Sequence, residues 1–305
     1  MLAIGECVYD IIFREGQPVA ARAGGSMLNT AVSLGRTGLN PVLITETGND
    51  KAGELVLDFL VKNGVDTQMI KQTPGRKTTI SLAFLDEQGE STYAFYKDED
   101  ESIAARPEPH FRKDDVFLFG SLYSLENRNR EFIVHILKKA ASKSILCIYD
   151  PNIRKPHSNE MPALRGKILE NIKMADIIRA SDEDLQTAFS MKGPEAAAGL
   201  IRDSGKILIY TCNRHGLWLL GCGHEIFLPV PEIVVLSSIG AGDAFNAGLI
   251  YALEKSNISK NVLSVLPEEK WKDILLIAVS FAQNVCQSYD NYISVEFAGK
   301  LGSGR

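Results

Sequence analysis

The stretch SSIGAGDAFNAGLI, residues 237–250, holds the spacing most suggestive of chemistry. Gly240, Ala241 and Gly242 lead into Asp243, and Ala244, Ala247 and Gly248 with Phe245, Leu249 and Tyr251 read as a helix with a small-residue face. A helix start presents unpaired backbone N–H groups and the positive end of the macrodipole, and side chains no larger than methyl let an anion come close. The chemistry on offer is an anion hole with a carboxylate at its lip. The same residues also suit an ordinary helix start with an acid in its first turn, and the stretch alone leaves both open.

Other polar residues stand at comparable places. Asp10 lies in an apolar neighbourhood, where a carboxylate needs amide donors or a polar ligand unless it faces solvent. In AGGSMLNTAVSLGRTG, residues 23–38, the diglycine Gly24-Gly25 permits close approach of the backbone, and Asn29 falls in the first turns of the helix that follows. Its amide offers donors and an acceptor, which suits a polyol as well as a simple cap.

The elements that must position these groups follow from periodicity. A buried strand at 2–4 and an exposed hairpin up to residue 20 precede the Gly24-Gly25 helix. A β-branched strand comes next, then an amphipathic helix over 52–62 closed by Asn63-Gly64. Residues 78–97 break this alternation with a hairpin around the turn at 86–89, leaving no room for a crossover helix. Together with the earlier hairpin they would form a small separate sheet, a lid, a dimerisation surface or both. The acidic run after Lys97 reads as a solvated loop. From Asp115 the alternation resumes, with helices over 129–143 and 164–174. The strand SILCIYD ends at Asp150, so that Asp150, Asn152 and Arg154 fall at the strand edge where ligands collect in open α/β sheets. Ser181 with Asp182, Glu183 and Asp184 resembles a capped helix start, with a magnesium role as the lesser reading. KILIYT ends at Thr211 and is followed by antiparallel strands. The segment from Ser256 to Asp273 reads as a polar connection to a tail helix over 274–286. One α/β domain spanning 1–305, with lid strands within about 8–22 and 78–98, is the simplest organisation.

Composition removes several classes. The 305 residues are 45% hydrophobic and 23% charged, ordinary for a globular protein, and the net charge of −5 without a dense basic block argues against nucleic acid and anionic membranes. The five cysteines are scattered without a C-x-x-C pair or zinc spacing. No histidine pattern supports zinc hydrolysis or a serine triad. With no signal-like N-terminus or membrane-length apolar run, a cytoplasmic location is the expectation.

With those residues in view, the chain resembles the ribokinase-like (PfkB) carbohydrate kinases over nearly its whole length. GECVYD, AGGSMLNTAVSLGRTG, TGNDKAG, FLFGSL, DPNIR, ADIIRASDEDL and SSIGAGDAFNAG occur in that family's order, and DPNIR and ADIIRASDEDL look most like the bacterial fructokinase branch. The resemblance implies a ribokinase-like fold and ATP-dependent phosphorylation of a sugar hydroxyl, with fructose the leading substrate. Alternatives are 2-keto-3-deoxygluconate, a nucleoside, or a non-catalytic binding relative. It implies Asp243 as general base and Gly240, Ala241 and Gly242 as the amides that hold developing charge. By family position Asp10, Gly24, Gly25, Asn29 and Lys97 would bind the sugar. Asn152, Arg154, Asp184, Thr211, Asn213 and Gly216 would serve the nucleotide, with Asp184 holding Mg2+ through water. The chain also departs from the pattern. Ser237 replaces the aspartate that helps bind an activating potassium ion, which speaks against K+ dependence. Asn213 stands where a glycine is usual, Lys97 where an arginine is frequent, and SYDNYIS replaces an R-G-A loop.

Overall fold

The computed structural model describes residues 1–85, 91–98, 106–153 and 160–302; the expected turn at 86–89, most of the acidic run after Lys97, and Arg154 lie outside them. In chain order the elements are β1 (Leu2–Ile4), β2 (Val8–Arg14), β3 (Gln17–Gly24), α1 (Ser26–Arg36), β4 (Val42–Gly48), α2 (Lys51–Lys62), β5 (Ile70–Thr73), β6 (Ile80–Leu85), β7 (Ser91–Tyr96), β8 (Val116–Gly120), α3 (Asn127–Ser142), β9 (Leu146–Asp150), α4 (Met161–Met174), β10 (Ile177–Ser181), α5 (Asp182–Phe189), α6 (Pro194–Ala198), β11 (Ile207–Thr211), β12 (Leu217–Gly221), β13 (His224–Leu228), α7 (Ala241–Lys255), α8 (Glu268–Cys286) and α9 (Val295–Gly302).

The chain divides into two compact units, each assembled from several stretches. One comprises 1–2, 110–234 and 248–281, and the other 3–109, 235–247 and 282–305. In the first, the strand order is β13-β12-β11-β10-β9-β8, with β8 to β11 parallel and β12 and β13 antiparallel. The parallel strands read as largely apolar runs, as strands packed under helices do, with α3 and α4 on β9, α5 on β10 and α6 on β11. In the second unit β1, β4 and β5 adjoin in that order, β4 and β5 being parallel, and α1 and α2 pack on β4. The same unit carries a separate four-stranded sheet, β3-β2-β6-β7. Its two hairpins are joined through parallel β2 and β6, with Asp10 opposite Arg22 on one side and Ser81 on the other. β2, β6 and β7 fall within the two stretches expected to form the small sheet, and β3 runs on to Gly24, past the expected limit near residue 22.

The tail corrects one expectation. The connection read as polar contains a 3-10 turn at Lys260–Val265 and the first turn of α8, which starts at Glu268. Trp271, Ile274, Leu275 and Ala278 fall at i, i+3, i+4 and i+7 and are buried, so a helical stripe was present behind the Glu and Lys residues around it. The helices expected over 129–143 and 164–174 begin earlier, at Asn127 and at Met161, where Pro162 takes a first-turn position that needs no amide hydrogen.

Candidate active site

The second unit holds the sugar-side candidates and sets Asn29 directly against Asp243. Gly240 adopts φ +80°, and a Cβ there would lie 2.5 Å from the Asn291 carbonyl oxygen, so only glycine lets the chain turn against the C-terminal loop before α7. The Ala241 amide closes that turn onto the Ser238 carbonyl at 3.2 Å, which uses one of the amides expected to face an anion. Asp243 sits in the first turn of α7 and is 6% exposed. Its Oδ1 accepts from Ser26 Oγ at 2.7 Å and its Oδ2 from Asn29 Nδ2 at 2.9 Å, while its carbonyl accepts from Thr30 Oγ1 at 3.0 Å.

These three donors form one stripe on α1. Ser26, Asn29, Thr30 and Ser33 recur at helical spacing on a helix whose other face is apolar, and Ser33 Oγ accepts from the Ile293 amide at 3.3 Å. Ser26 and Thr30 were not among the sequence candidates, although a polar stripe within an otherwise buried helix was the signal that could have marked them. Gly25 caps the helix start with φ 119°, and a Cβ there would stand 2.4 Å from the Glu6 carbonyl. At Gly24 a Cβ would come within 2.0 Å of Asp10 Oδ2, so the bare backbone is what lets the Asp10 carboxylate lie beside the start of α1. Among the described residues nothing donates to the buried Oδ1 of Asn29. Lys97 pairs with Glu6 at 2.7 Å.

The C-terminal loop is fixed in the same unit. Arg22 donates to the Tyr289 carbonyl at 2.5 Å and pairs with Asp290 at 3.5 Å; Arg36 donates to the Ile293 carbonyl at 2.6 Å and stacks over Tyr292. Burial, reinforced by Asp290, raises the Tyr292 hydroxyl above the usual phenol range. Ser237 Oγ accepts from the Ile239 amide at 3.2 Å, and the amides of Leu236 and Ser237 both reach the Cys286 carbonyl.

The first unit gathers the candidates from the other half of the motif set at the C-terminal ends of β9, β10 and β11. Asp150 is fully buried, accepting from the Asn152 amide at 3.0 Å and from Arg179 at 3.3 Å; Arg179 also donates to Thr211 Oγ1 at 2.9 Å. Arg179 was missed in the sequence, where its sign was a lone charge inside the apolar strand IIRAS. Ser181 and Asp184 form a reciprocal capping box, and Asp184 also accepts from the Ile153 amide at 2.6 Å. Asn213 takes φ 51°, the left-handed conformation that asparagine tolerates best after glycine, and so serves where a glycine was expected. Gly216, at φ 106°, would place a Cβ 2.6 Å from the Leu228 carbonyl. Burial pushes the Cys212 thiol and the Tyr149 hydroxyl up.

Comparison with known proteins decides the family. The pfkB family carbohydrate kinase model matches residues 1–298. The chain belongs to the pfkB family of carbohydrate kinases. This kinase is 29% identical over 282 residues to a fructokinase of Rhizobium leguminosarum bv. trifolii, with 88% of this chain and 84% of the relative covered. Its fold matches that of a double-mutant Vibrio cholerae fructokinase solved with fructose, ADP and potassium ion, at a TM-score of 0.80 and 21% identity, covering 96% and 94% of the two chains. It also matches aminoimidazole riboside kinase from Salmonella enterica with aminoimidazole riboside and an ATP analogue, at a TM-score of 0.78 and 19% identity, covering 99% and 98%. The kinase therefore has the ribokinase-like fold, a mostly parallel sheet flanked by helices with a small separate sheet. Among the described residues no helix is long and apolar enough to cross a membrane.

Proposed function

We propose that this kinase transfers the γ-phosphoryl group of ATP to a hydroxyl of fructose or a closely related ketose, with Asp243 as general base. The observation that carries this reading is the setting of Asp243, a buried carboxylate whose oxygens are each held by an α1 side chain, beside an amide oxygen of Asn29 still lacking a donor. A polyol hydroxyl could donate to Asn29 Oδ1, while Asp10 beside Gly24 takes a second hydroxyl. Asp243 then receives the proton as the sugar oxygen attacks phosphorus, and the backbone at Gly240 to Gly242 meets the negative charge. Positioning and electrostatics carry such a transfer. The small sheet, with Val19, Phe84, Phe95 and Tyr96 exposed, is suited to exclude water or to pair two copies.

Magnesium fits as an ion carried by the nucleotide. Among the described residues no three acidic, histidine or cysteine side chains converge into a cage, and the oxygens of Asp184 already accept from Ser181 and Ile153. Asp184 would therefore touch a hydrated ion through water, and the ion would supply charge neutralisation on the phosphates. Arg179, Thr211 and Asn213 would shape the nucleotide edge. Ser237, whose hydroxyl is turned to the Ile239 amide, offers no carboxylate to potassium.

The test is ADP release across a panel of ketoses, aldoses, sugar acids and nucleosides, in potassium and in sodium. Fructose should give the highest kcat/KM, at equal rates in the two salts. Asp243→Ala should lose roughly a hundredfold or more in kcat while still binding sugar by calorimetry. A nucleoside or sugar acid leading the panel would replace fructose, and an undiminished Asp243→Ala would overturn the base.

A further inference from the structure

The contact between Ser26 and Asp243 neither binds sugar nor moves the proton in the transfer just described, yet it is close, 2.7 Å against 2.9 Å for Asn29. The two donors also differ in setting. Asn29 is 5% exposed and reaches Oδ2 in a fully buried contact, whereas Ser26 is half-buried and reaches Oδ1 in a partly buried one. Ser26 thus meets Oδ1 from a half-buried position and Asn29 meets Oδ2 from a buried one.

A base poised beside ATP faces a selectivity problem, because water carries the same O–H group as the sugar and is always present. Excluding it is a requirement of phosphoryl transfer to alcohols. We infer that Ser26 is a specificity-determining residue whose hydroxyl occupies Asp243 Oδ1 and so denies that oxygen to water. The inference rests on Asp243 being the base. Ser26 is suited to the task because α1 begins at it, immediately after Gly25, so the start of the helix holds its backbone beside the base. A polyol that binds Asn29 and Asp10 brings its own hydroxyl to Asp243 with enough additional contacts to displace or share the Ser26 bond. A lone water has no such contacts.

Removing the Ser26 hydroxyl takes away one donor to Asp243 Oδ1, and a water can stand where that hydroxyl stood. In the reaction this permits, the water oxygen forms a bond to the γ-phosphorus and the bond from that phosphorus to the bridging oxygen of ADP breaks. The water proton passes to Asp243, and ADP and inorganic phosphate leave.

The experiment measures ADP and phosphate release by the full chain with MgATP and no sugar. Ser26→Ala should raise sugar-independent release about fivefold, the factor expected for losing one hydrogen bond at the base, with phosphate and ADP formed in equal amounts. Ser26→Thr, which restores a hydroxyl, should return it toward the parent rate, and Ser26→Ala combined with Asp243→Asn should abolish it. Ser26→Cys keeps the volume and weakens the donor, so it reads the same leak if the alanine variant folds poorly. A leak no higher than that of the parent, with sugar-dependent turnover retained, overturns the inference and leaves the base intact. A raised leak that survives Asp243→Asn instead overturns the base, and with it the inference. Phosphate found covalently on Ser26 by intact-mass measurement would make it an acceptor and likewise overturn the role.

Discussion

At the scale of single residues, the site is a set of ordinary side chains made unusual by what they touch. Asn29 gives its amide nitrogen to Asp243 and, among the described residues, keeps a buried oxygen without a donor, so on the proposed mechanism its truncation removes a brace from the base and an acceptor from the sugar. Asn29→Ala should therefore raise the sugar KM and lower kcat together, each by about fivefold for one hydrogen bond, as read in steady-state kinetics. A rise in KM alone would mean that the brace is idle. Asp10, Asn29 and Asp243 were legible in the sequence because a carboxylate or amide beside small residues is chemically conspicuous. Ser26 was not, since its partner lies 217 residues away and a serine after two glycines is also an unremarkable helix start. Arg179 escaped for a related reason: a strand arginine acquires meaning only when Asp150 and Thr211 stand on the neighbouring strands.

At the scale of elements, glycines and caps determine where these side chains point. Gly24→Ala would push a methyl into Asp10 Oδ2 at a nominal 2.0 Å, so the carboxylate must swing away while β3 keeps its pairing. The expected outcome is weakened sugar binding by calorimetry with nearly unchanged nucleotide binding. Equal loss of both would point to a general disturbance. On the other half of the site set, α5 depends on the Ser181–Asp184 box. Ser181→Ala should cost about 1 kcal/mol of stability in urea denaturation and leave Asp184 Oδ2 with the Ser181 amide but without the Ser181 hydroxyl, changing the magnesium dependence of turnover in the same variant. The elements themselves were largely readable: period, caps and turn residues gave the small sheet and the strand–helix alternation. The start of α8 was hidden because its buried stripe, from Trp271 onward, is interleaved with charged residues that face out.

At the scale of the whole molecule, burial of thiols gives a stability signature. Burial pushes Cys7 and Cys147 from the ordinary 9.0 to about 12 in each case, with neighbouring carboxylates adding to it, Glu6 and Glu46 at Cys7 and Asp176 at Cys147. In the unfolded chain both ionise near pH 9 while the folded chain keeps the protons, so the unfolded state binds fewer protons over that interval. The stability these thiols contribute is whole below pH 9 and is lost as pH rises toward 12. The urea midpoint should fall as pH rises from about 9 toward about 12, and Cys7→Ala with Cys147→Ala should flatten the fall. A midpoint decline unchanged in that double variant would assign the alkaline limb to other groups.

Taken by itself, the sequence determined what local rules govern: which segments are strands or helices, where glycine is demanded, which residues can bear charge beside a tight turn, and the ordered motifs that mark the carbohydrate kinases. Only the tertiary structure decided which polar groups meet. Ser26 on Asp243, Arg179 between Asp150 and Thr211, and Asn291 against Gly240 are pairings across long stretches of chain. The physical reason is that the state of a buried carboxylate or amide depends on the donors folded against it, and those donors are chosen by packing of distant elements and not by neighbours in sequence.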